Sequence, residues 1–272
     1  MEAFTLINES VHLAAWEKMW PGISAGFSTR NGGTSSGEFD SLNCGLHVGD
    51  RVEHVVENRR RLARQNGFSF SSWTCGEQVH GDRIVYIAEE QAGAGRESRE
   101  DAIPSADGLL TDKRNVFLAS FYADCVPLFF YSPRFQVIGV AHAGWKGTVA
   151  RIGQKMALQM KEQWGIQPED IYAAIGPSIH SCCYEVNDLV ADKIKEVLGE
   201  KAQDVLESVR TEKYMLNLQE TNRILLLEAG IPHAHIEVSQ LCTGCRTDLF
   251  FSHRKEGGKT GRMTAFIGLK EG

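Results

Sequence analysis

Three side chains with metal-binding or nucleophilic chemistry sit where the chain changes direction. His80 precedes Gly81, Cys125 lies just before Pro127, and His142 ends a short apolar, β-prone run at 137–141. Three N/S ligands with a fourth position open is the arrangement of catalytic zinc, which lowers the pKa of bound water to ~7 and so makes hydroxide available at neutral pH. The same residues could instead form a thiol nucleophile with a histidine base, and Asp124 could then orient the imidazole. In the plainest reading Cys125 is a buried small hydrophobe and His142 a satisfied core histidine. Sequence spacing alone leaves these alternatives open, because the three positions lie far apart.

Candidate anion contacts accompany them. The turn Ala143-Gly144-Trp145-Lys146-Gly147-Thr148 leads from the apolar run into a helical pattern, Val149, Ile152, Met156, Met160 and Trp164. Lys146 and the free amides of a helix N-terminus favour an anion there. Arg30 leads a turn-rich loop, residues 30–37, that reads either as a tight hairpin turn or as a binding loop. Arg59, Arg60, Arg61 and Arg64 share one expected helix; such runs are usually solvated, but one arginine could turn inward to a phosphate or carboxylate. Cys242-x-x-Cys245 is a weak zinc signal, since a structural site needs four ligands and no fourth partner is evident beyond nearby His253. Adjacent Cys182 and Cys183 cannot point the same way from a strand, so one is expected to be buried and the other site-facing or inert.

The elements that must position these groups read as mixed α and β. Strands are expected at 23–29, 83–87, 116–121, 127–131, 137–141, 170–175 and 236–239, with a C-terminal hairpin of 249–252 and 263–269. Helices are expected from an Asp50 N-cap through Leu62, after the glycine turn at 144–147, at 188–198 and at about 218–229, the last stopped by Gly230. Residues 89–104 read as a mobile surface loop. The 272 residues carry 42% hydrophobic and 24% charged residues, with a net charge of −6. That balance predicts a globular chain that is no general nucleic-acid binder. No apolar run spans a membrane, and residues 1–20 contain Glu2, Glu9, Glu17 and Lys18 without the apolar core of a secretory leader. Seven cysteines without an export signal fit reduced thiols, with metal ligands among them, in the cytoplasm.

Taken together, FSTRNGGTSSGEFDSLNCGLHVGD (27–50), ENRRRL (57–62), QVHG (78–81), ADCVPL (123–128), AHAGWKGT (141–148), IGPSIHSCCYEV (175–186) and FFSHRKEGGKTGRM (250–263) resemble the YfiH/YlmD family, once described as multicopper polyphenol oxidases or laccase-domain proteins. The resemblance runs from about residue 22 onward and implies one α+β domain over 1–272, an α/β/β/α layered sandwich with mixed sheets. It implies that His80, Cys125 and His142 converge on one zinc ion. It also implies phosphorolysis of adenosine, inosine and 5′-methylthioadenosine with phosphate, together with deamination of adenosine. On that reading Lys146, Arg30 and Arg59 contact phosphate, Asn43 hydrogen-bonds sugar or base, and Glu77 or Asp124 moves protons. The expected partners are small purine nucleosides and phosphate. Copper-dependent polyphenol oxidation and peptidoglycan-precursor editing through Cys125 are alternatives that the same resemblance carries. A His₂Cys set also resembles a blue-copper site, but nine scattered histidines are few for a multicopper oxidase. Two departures stand out: Lys146 replaces a common arginine, and His253 replaces a common tyrosine, so no role is rested on His253.

Overall fold

Alternation along the strands decides which core each side chain joins. The computed structural model describes residues 2–271. One six-stranded sheet runs in the order β1 (Thr5–Ile7), β2 (Ser10–His12), β3 (Ile23–Ser28), β15 (Met263–Leu269), β7 (Phe117–Tyr122), β4 (Trp73–Cys75). A second runs β14 (Ile236–Val238), β10 (Tyr172–Ile175), β8 (Val126–Ser132), β9 (Val137–Ala143), β6 (Gly108–Thr111), β5 (Ile84–Tyr86). A small third sheet joins β11 (Glu185–Asn187), β13 (Lys213–Leu216) and β12 (Leu206–Arg210). Pairs β4–β7, β5–β6 and β10–β14 are parallel and the others antiparallel, so both large sheets are mixed.

Along β7, Leu118 and Tyr122 enter the core between the two large sheets, whereas Phe117, Ala119 and Phe121 point to the opposite face. Along β8, Phe129 and Tyr131 enter the inter-sheet core, and Val126, Leu128 and Phe130 point away. α1 (Ala14–Met19) adds Trp16 to the inter-sheet core. The outer face of the first sheet is covered by α2 (Val52–Gln65), which buries Leu62 and Ala63 with Trp73 and Phe266. The outer face of the second is covered by α3 (Trp145–Val149), α4 (Ile152–Trp164), α5 (Asp188–Leu198) and α6 (Leu218–Glu228), through residues such as Met156, Ile194 and Leu225. The layering is α/β/β/α, as the resemblance implies. Gly139 lets α4 lie close on β9: a Cβ there would stand 2.6 Å from Met156 Cε.

Several expectations are corrected. The helical pattern after the glycine turn is two helices, because Arg151 takes the left-handed region (φ 61°) and breaks it. Arg151 is held there by hydrogen bonds from its guanidinium to Gln154, Glu228 and the Val197 carbonyl. Asp50 does not cap α2; its carboxylate accepts from Ser35 and Asn43, and Arg51 occupies the N-cap position. No C-terminal hairpin forms, since β15 pairs with β3 and β7 while 249–252 lies outside the sheets. Residues 89–104 are not a detached surface loop: Gly93, Gly95 and Ile103 are buried. Among the described residues, no helix is long and apolar enough to cross a membrane.

Candidate metal centre and its cavity

Strand register brings two of the three ligand candidates together. β8 and β9 pair antiparallel with Val126 opposite Ala143 and Pro127 opposite His142. Cys125, one residue before β8, therefore lies beside Gly144, one residue after β9. The connection between β4 and β5 carries His80 over the same point. Ligand atoms of His80, Cys125 and His142 all lie within 4.8 Å of one another. Gly144 makes room for them: a Cβ there would stand 3.1 Å from Cys125 Sγ and 3.4 Å from His80 Cδ2. His142 is buried, Cys125 half-buried and His80 exposed, so the group is open on one side. Two imidazoles and a thiol with an open side suit zinc or a similar borderline cation.

The backbone at this point is strained and compensated. His80 (φ 61°) and Asp124 (φ 88°) both take the left-handed region, a conformation that costs on the order of 1–3 kcal/mol for a non-glycine residue. Asp107 offsets the first. Its Oδ1 accepts from the His80 amide at 3.0 Å and from His142 Nδ1 at 2.8 Å. Its Oδ2 accepts from the amides of Val79 at 3.1 Å and Gly81 at 2.8 Å. With Nδ1–H given to Asp107, His142 keeps Nε2 for a metal or for Cys125, the usual arrangement behind a ligating histidine. Asp124 does not orient an imidazole, contrary to the sequence reading. Its carboxylate accepts from Thr243 Oγ1 at 2.7 Å, Ser252 Oγ at 2.8 Å and the Arg254 amide at 2.7 Å. The orienting acid is Asp107, which sequence reasoning missed; the one signal was an aspartate followed at once by a glycine and an apolar run.

Burial alone would push the Cys125 thiol up, but the neighbouring His142 and His80 outweigh it and bring the thiol down to about 6. Burial would lower His142, yet Cys125 and Asp107 raise it to about 9. The pair therefore favours a thiolate, the form in which cysteine ligates metal.

A cavity of about 480 Å³ opens over the three residues, walled by His47, Glu77, Arg99, Phe121, His253 and Arg262 among others. Such a volume falls in the range of small-molecule sites, roughly 300–1,000 Å³. Burial, followed by the Arg262 charge, lowers His47 to about 4 and keeps its ring neutral. Arg262 Nη1 donates to the carbonyls of Thr260 and Gly261. Glu77 accepts from Arg99 at 3.3 Å. His253, on which the sequence reading rested no role, lines the cavity.

Four other predicted site residues are placed differently. Arg59 does turn inward and reaches the cavity wall, with Nε donating to the Cys44 carbonyl and Nη1 to those of Gly95 and Arg96. Its guanidinium carbon lies 4.5 Å from the Phe121 ring centroid. Arg30 does not line the cavity; it donates to Asp40 and Thr247 carbonyls and pairs with Glu256 at 2.9 Å. Asn43 is buried, exchanging hydrogen bonds with Gly45, Asp50 and the Arg262 amide, so no edge is left for a sugar or base. Lys146 is exposed beside the Trp145 ring and does not reach the cavity. The helix it opens, α3, is a single short turn rather than the long helix expected to hold an anion.

A family model described as multi-copper polyphenol oxidoreductase laccase matches residues 24–270. The purine nucleoside phosphorylase YlmD of Geobacillus stearothermophilus is 46% identical over 250 residues, covering 92% of this chain and 91% of that one. The crystal structure of YlmD from the same organism superposes with a TM-score of 0.96 at 43% identity, covering 100% of both chains. That of the Bacillus licheniformis hypothetical protein YfiH gives 0.95 at 43% identity, covering 99% of this chain and 100% of that one.

Proposed function

The chain belongs to this multi-copper polyphenol oxidoreductase laccase family, and we propose that it is a zinc-dependent purine nucleoside phosphorylase. The carrying observation is the cavity: an open His/His/Cys group at its base, three arginines at its wall and an aromatic face, in a chain 46% identical to a protein named purine nucleoside phosphorylase YlmD. The substrates are adenosine, inosine and 5′-methylthioadenosine with phosphate. In phosphorolysis a phosphate oxygen bonds to C1′ of the ribose as the C1′–N9 bond breaks. The electron pair leaves with the purine, which takes up a proton.

Each requirement has a candidate in the wall. Arg99 and Arg262 hold phosphate, and Arg262 keeps Nε and Nη2 without a protein acceptor among the described residues. Phe121 offers its ring to the base. His47, neutral, and His253 hydrogen-bond the ribose or the leaving purine. Zinc held by His80, Cys125 and His142 supplies a Lewis acid at the cavity floor. Seven free cysteines support a reducing, cytoplasmic setting.

Deamination of adenosine is a second reading, favoured by Glu77 in the same wall. There water replaces the C6 amino group, ammonia leaves, and Glu77 carries the proton between them. Zinc-loaded protein given inosine and phosphate is expected to release hypoxanthine and ribose 1-phosphate; no hypoxanthine at full metal occupancy sinks the phosphorylase reading. Ammonia release from adenosine tests the second.

A further inference from the structure

Away from the cavity, two cysteine pairs that the sequence treated separately meet in space. Cys182 and Cys183 follow β10, and Cys242 and Cys245 follow β14. These strands are parallel neighbours, with Ala173 opposite Ile236 and Ile175 opposite Val238, and the pairing continues in a bridge between Ser178 and Cys242. Both loops therefore leave the sheet at the same end and side by side. Cys182 and Cys183 lie in a turn rather than a strand, so the alternation expected from sequence does not apply, and both sulfurs face the Cys-x-x-Cys loop.

From this arrangement we infer that Cys182, Cys183, Cys242 and Cys245 form a second, tetrathiolate zinc site with a structural role. The four sulfurs lie within 4.8 Å of one another. Individual separations are 3.5 Å for Cys182–Cys245, 3.5 Å for Cys183–Cys245, 3.7 Å for Cys182–Cys242 and 3.8 Å for Cys182–Cys183. Zinc–sulfur bonds of ~2.3 Å in a tetrahedron require sulfur–sulfur edges of about 3.8 Å. The observed group is thus close to a ready-made tetrahedron, and all four cysteines are free.

The backbone is shaped for the same purpose. The Cys242 carbonyl accepts from the amides of Cys245 at 3.2 Å and Arg246 at 2.9 Å, closing a tight turn that aims both sulfurs inward. The His180 amide points at Cys242 Sγ at 3.4 Å, a donor suited to a ligated thiolate. Gly244 is required by close approach: a Cβ there would stand 2.9 Å from Cys183 Cβ and 3.1 Å from its Sγ. The Lys255 side chain passes the same point, with Cε 3.5 Å from that Cβ position. Four thiols binding Zn²⁺ release four protons and leave a net charge of −2, which a neighbouring ammonium offsets.

The site is tied to the cavity through Asp124, whose carbonyl accepts from the Ile179 amide at 2.9 Å. Thr243, between the paired cysteines, donates its hydroxyl to Asp124 and its amide to the Ser178 carbonyl at 3.0 Å. Asp124 is the left-handed residue that presents Cys125. A metal-locked Cys-x-x-Cys loop therefore braces the segment that carries Cys125.

The test is metal binding by variants, read apart from catalysis. Protein purified under reducing conditions is loaded with zinc or Co²⁺. Cys125→Ser is expected to retain one metal per chain, with the intense thiolate-to-cobalt charge-transfer bands of a four-sulfur site. Cys245→Ser and Cys182→Ser are each expected to lose that metal and those bands. Zinc should also protect the four thiols from alkylation in the wild-type chain, an outcome that needs no variant to fold. A Cys125→Ser chain that binds no metal at saturating Co²⁺ overturns the proposal. So does non-reducing mass spectrometry that finds these four cysteines oxidised in pairs, or a wild-type chain whose four thiols alkylate equally with and without zinc.

Discussion

Asp107 takes four donors on one carboxylate, and three of them are consecutive amides ending at Gly81. A carboxamide in its place has one acceptor oxygen and an NH₂ that must face donors. Asp107→Asn is therefore expected to loosen the His80 turn and to leave His142 without its Nδ1 acceptor. Loss of such a supporting group weakens metal binding by roughly 10- to 100-fold. Competition against a chromogenic chelator measures this directly, and an unchanged affinity would show that Asp107 does not orient the ligands. Arg59 shows what a residue-level reading can and cannot reach. It shares a charged run with Arg60, Arg61 and Arg64, yet Arg59 alone of these is buried, because the carbonyls of Cys44, Gly95 and Arg96 converge on its position. Those acceptors come from distant segments, so the sequence allows one arginine to turn inward but does not say which, nor to what.

At the scale of elements, the segment between Phe250 and Arg262 is held by a side chain instead of a strand ladder. Glu256 accepts from Arg30 Nη1 at 2.9 Å, the Ser252 amide at 2.8 Å and Thr260 Oγ1 at 2.6 Å. Burial opposes its ionisation, but the Thr260, Ser252 and Arg30 contacts together hold the carboxyl below its usual range. A lowered folded-state pKa stabilises fully above the unfolded value, about 4.3, and the contribution is lost as pH falls through the folded value. Glu256→Gln is thus expected to be less stable than the wild type at neutral pH, with the gap closing on acidification. Urea unfolding at several pH values measures it; a gap that does not change with pH would mean the carboxylate charge does not matter. This dependence on scattered side chains explains why a hairpin was expected here. Phe250, Phe251 and the apolar run at 263–269 fit a two-strand pattern, and nothing local reveals that Asp124 and Glu256 claim the polar groups of the first arm. Helices α5 and α6 were legible because their spacing and stops are local: Asn187 and Asn217 cap them, and Gly230 (φ 91°) ends the second. The three-stranded sheet was not legible, since its strands are short and bury only Val186 and Leu216.

For the whole molecule, metal and fold should be linked. A ligand that binds only the folded chain stabilises it by about 2.7 kcal/mol at a hundredfold excess over its Kd. For a chain of this size each kcal/mol moves the melting point on the order of 2–4 °C. Chelation is therefore expected to lower the thermal midpoint by several degrees and readdition of zinc to restore it; a midpoint indifferent to metal would contradict both sites. The layered fold and the three ligand candidates were legible through the motifs, but their meeting point depends on register, with Pro127 opposite His142, which no single segment encodes. The first sheet carries one more consequence. Its middle position is filled by β15, with β3 on one side and β7 on the other, and β15 follows every other strand in the chain. β15 must therefore be made before that sheet can close, and until then β3 and β7 are two open edges able to recruit a neighbouring nascent chain. β15 is the keystone of an arch whose halves stand first, so a chain cut short before Met263 would be a hazard to the cell rather than a mild loss of length.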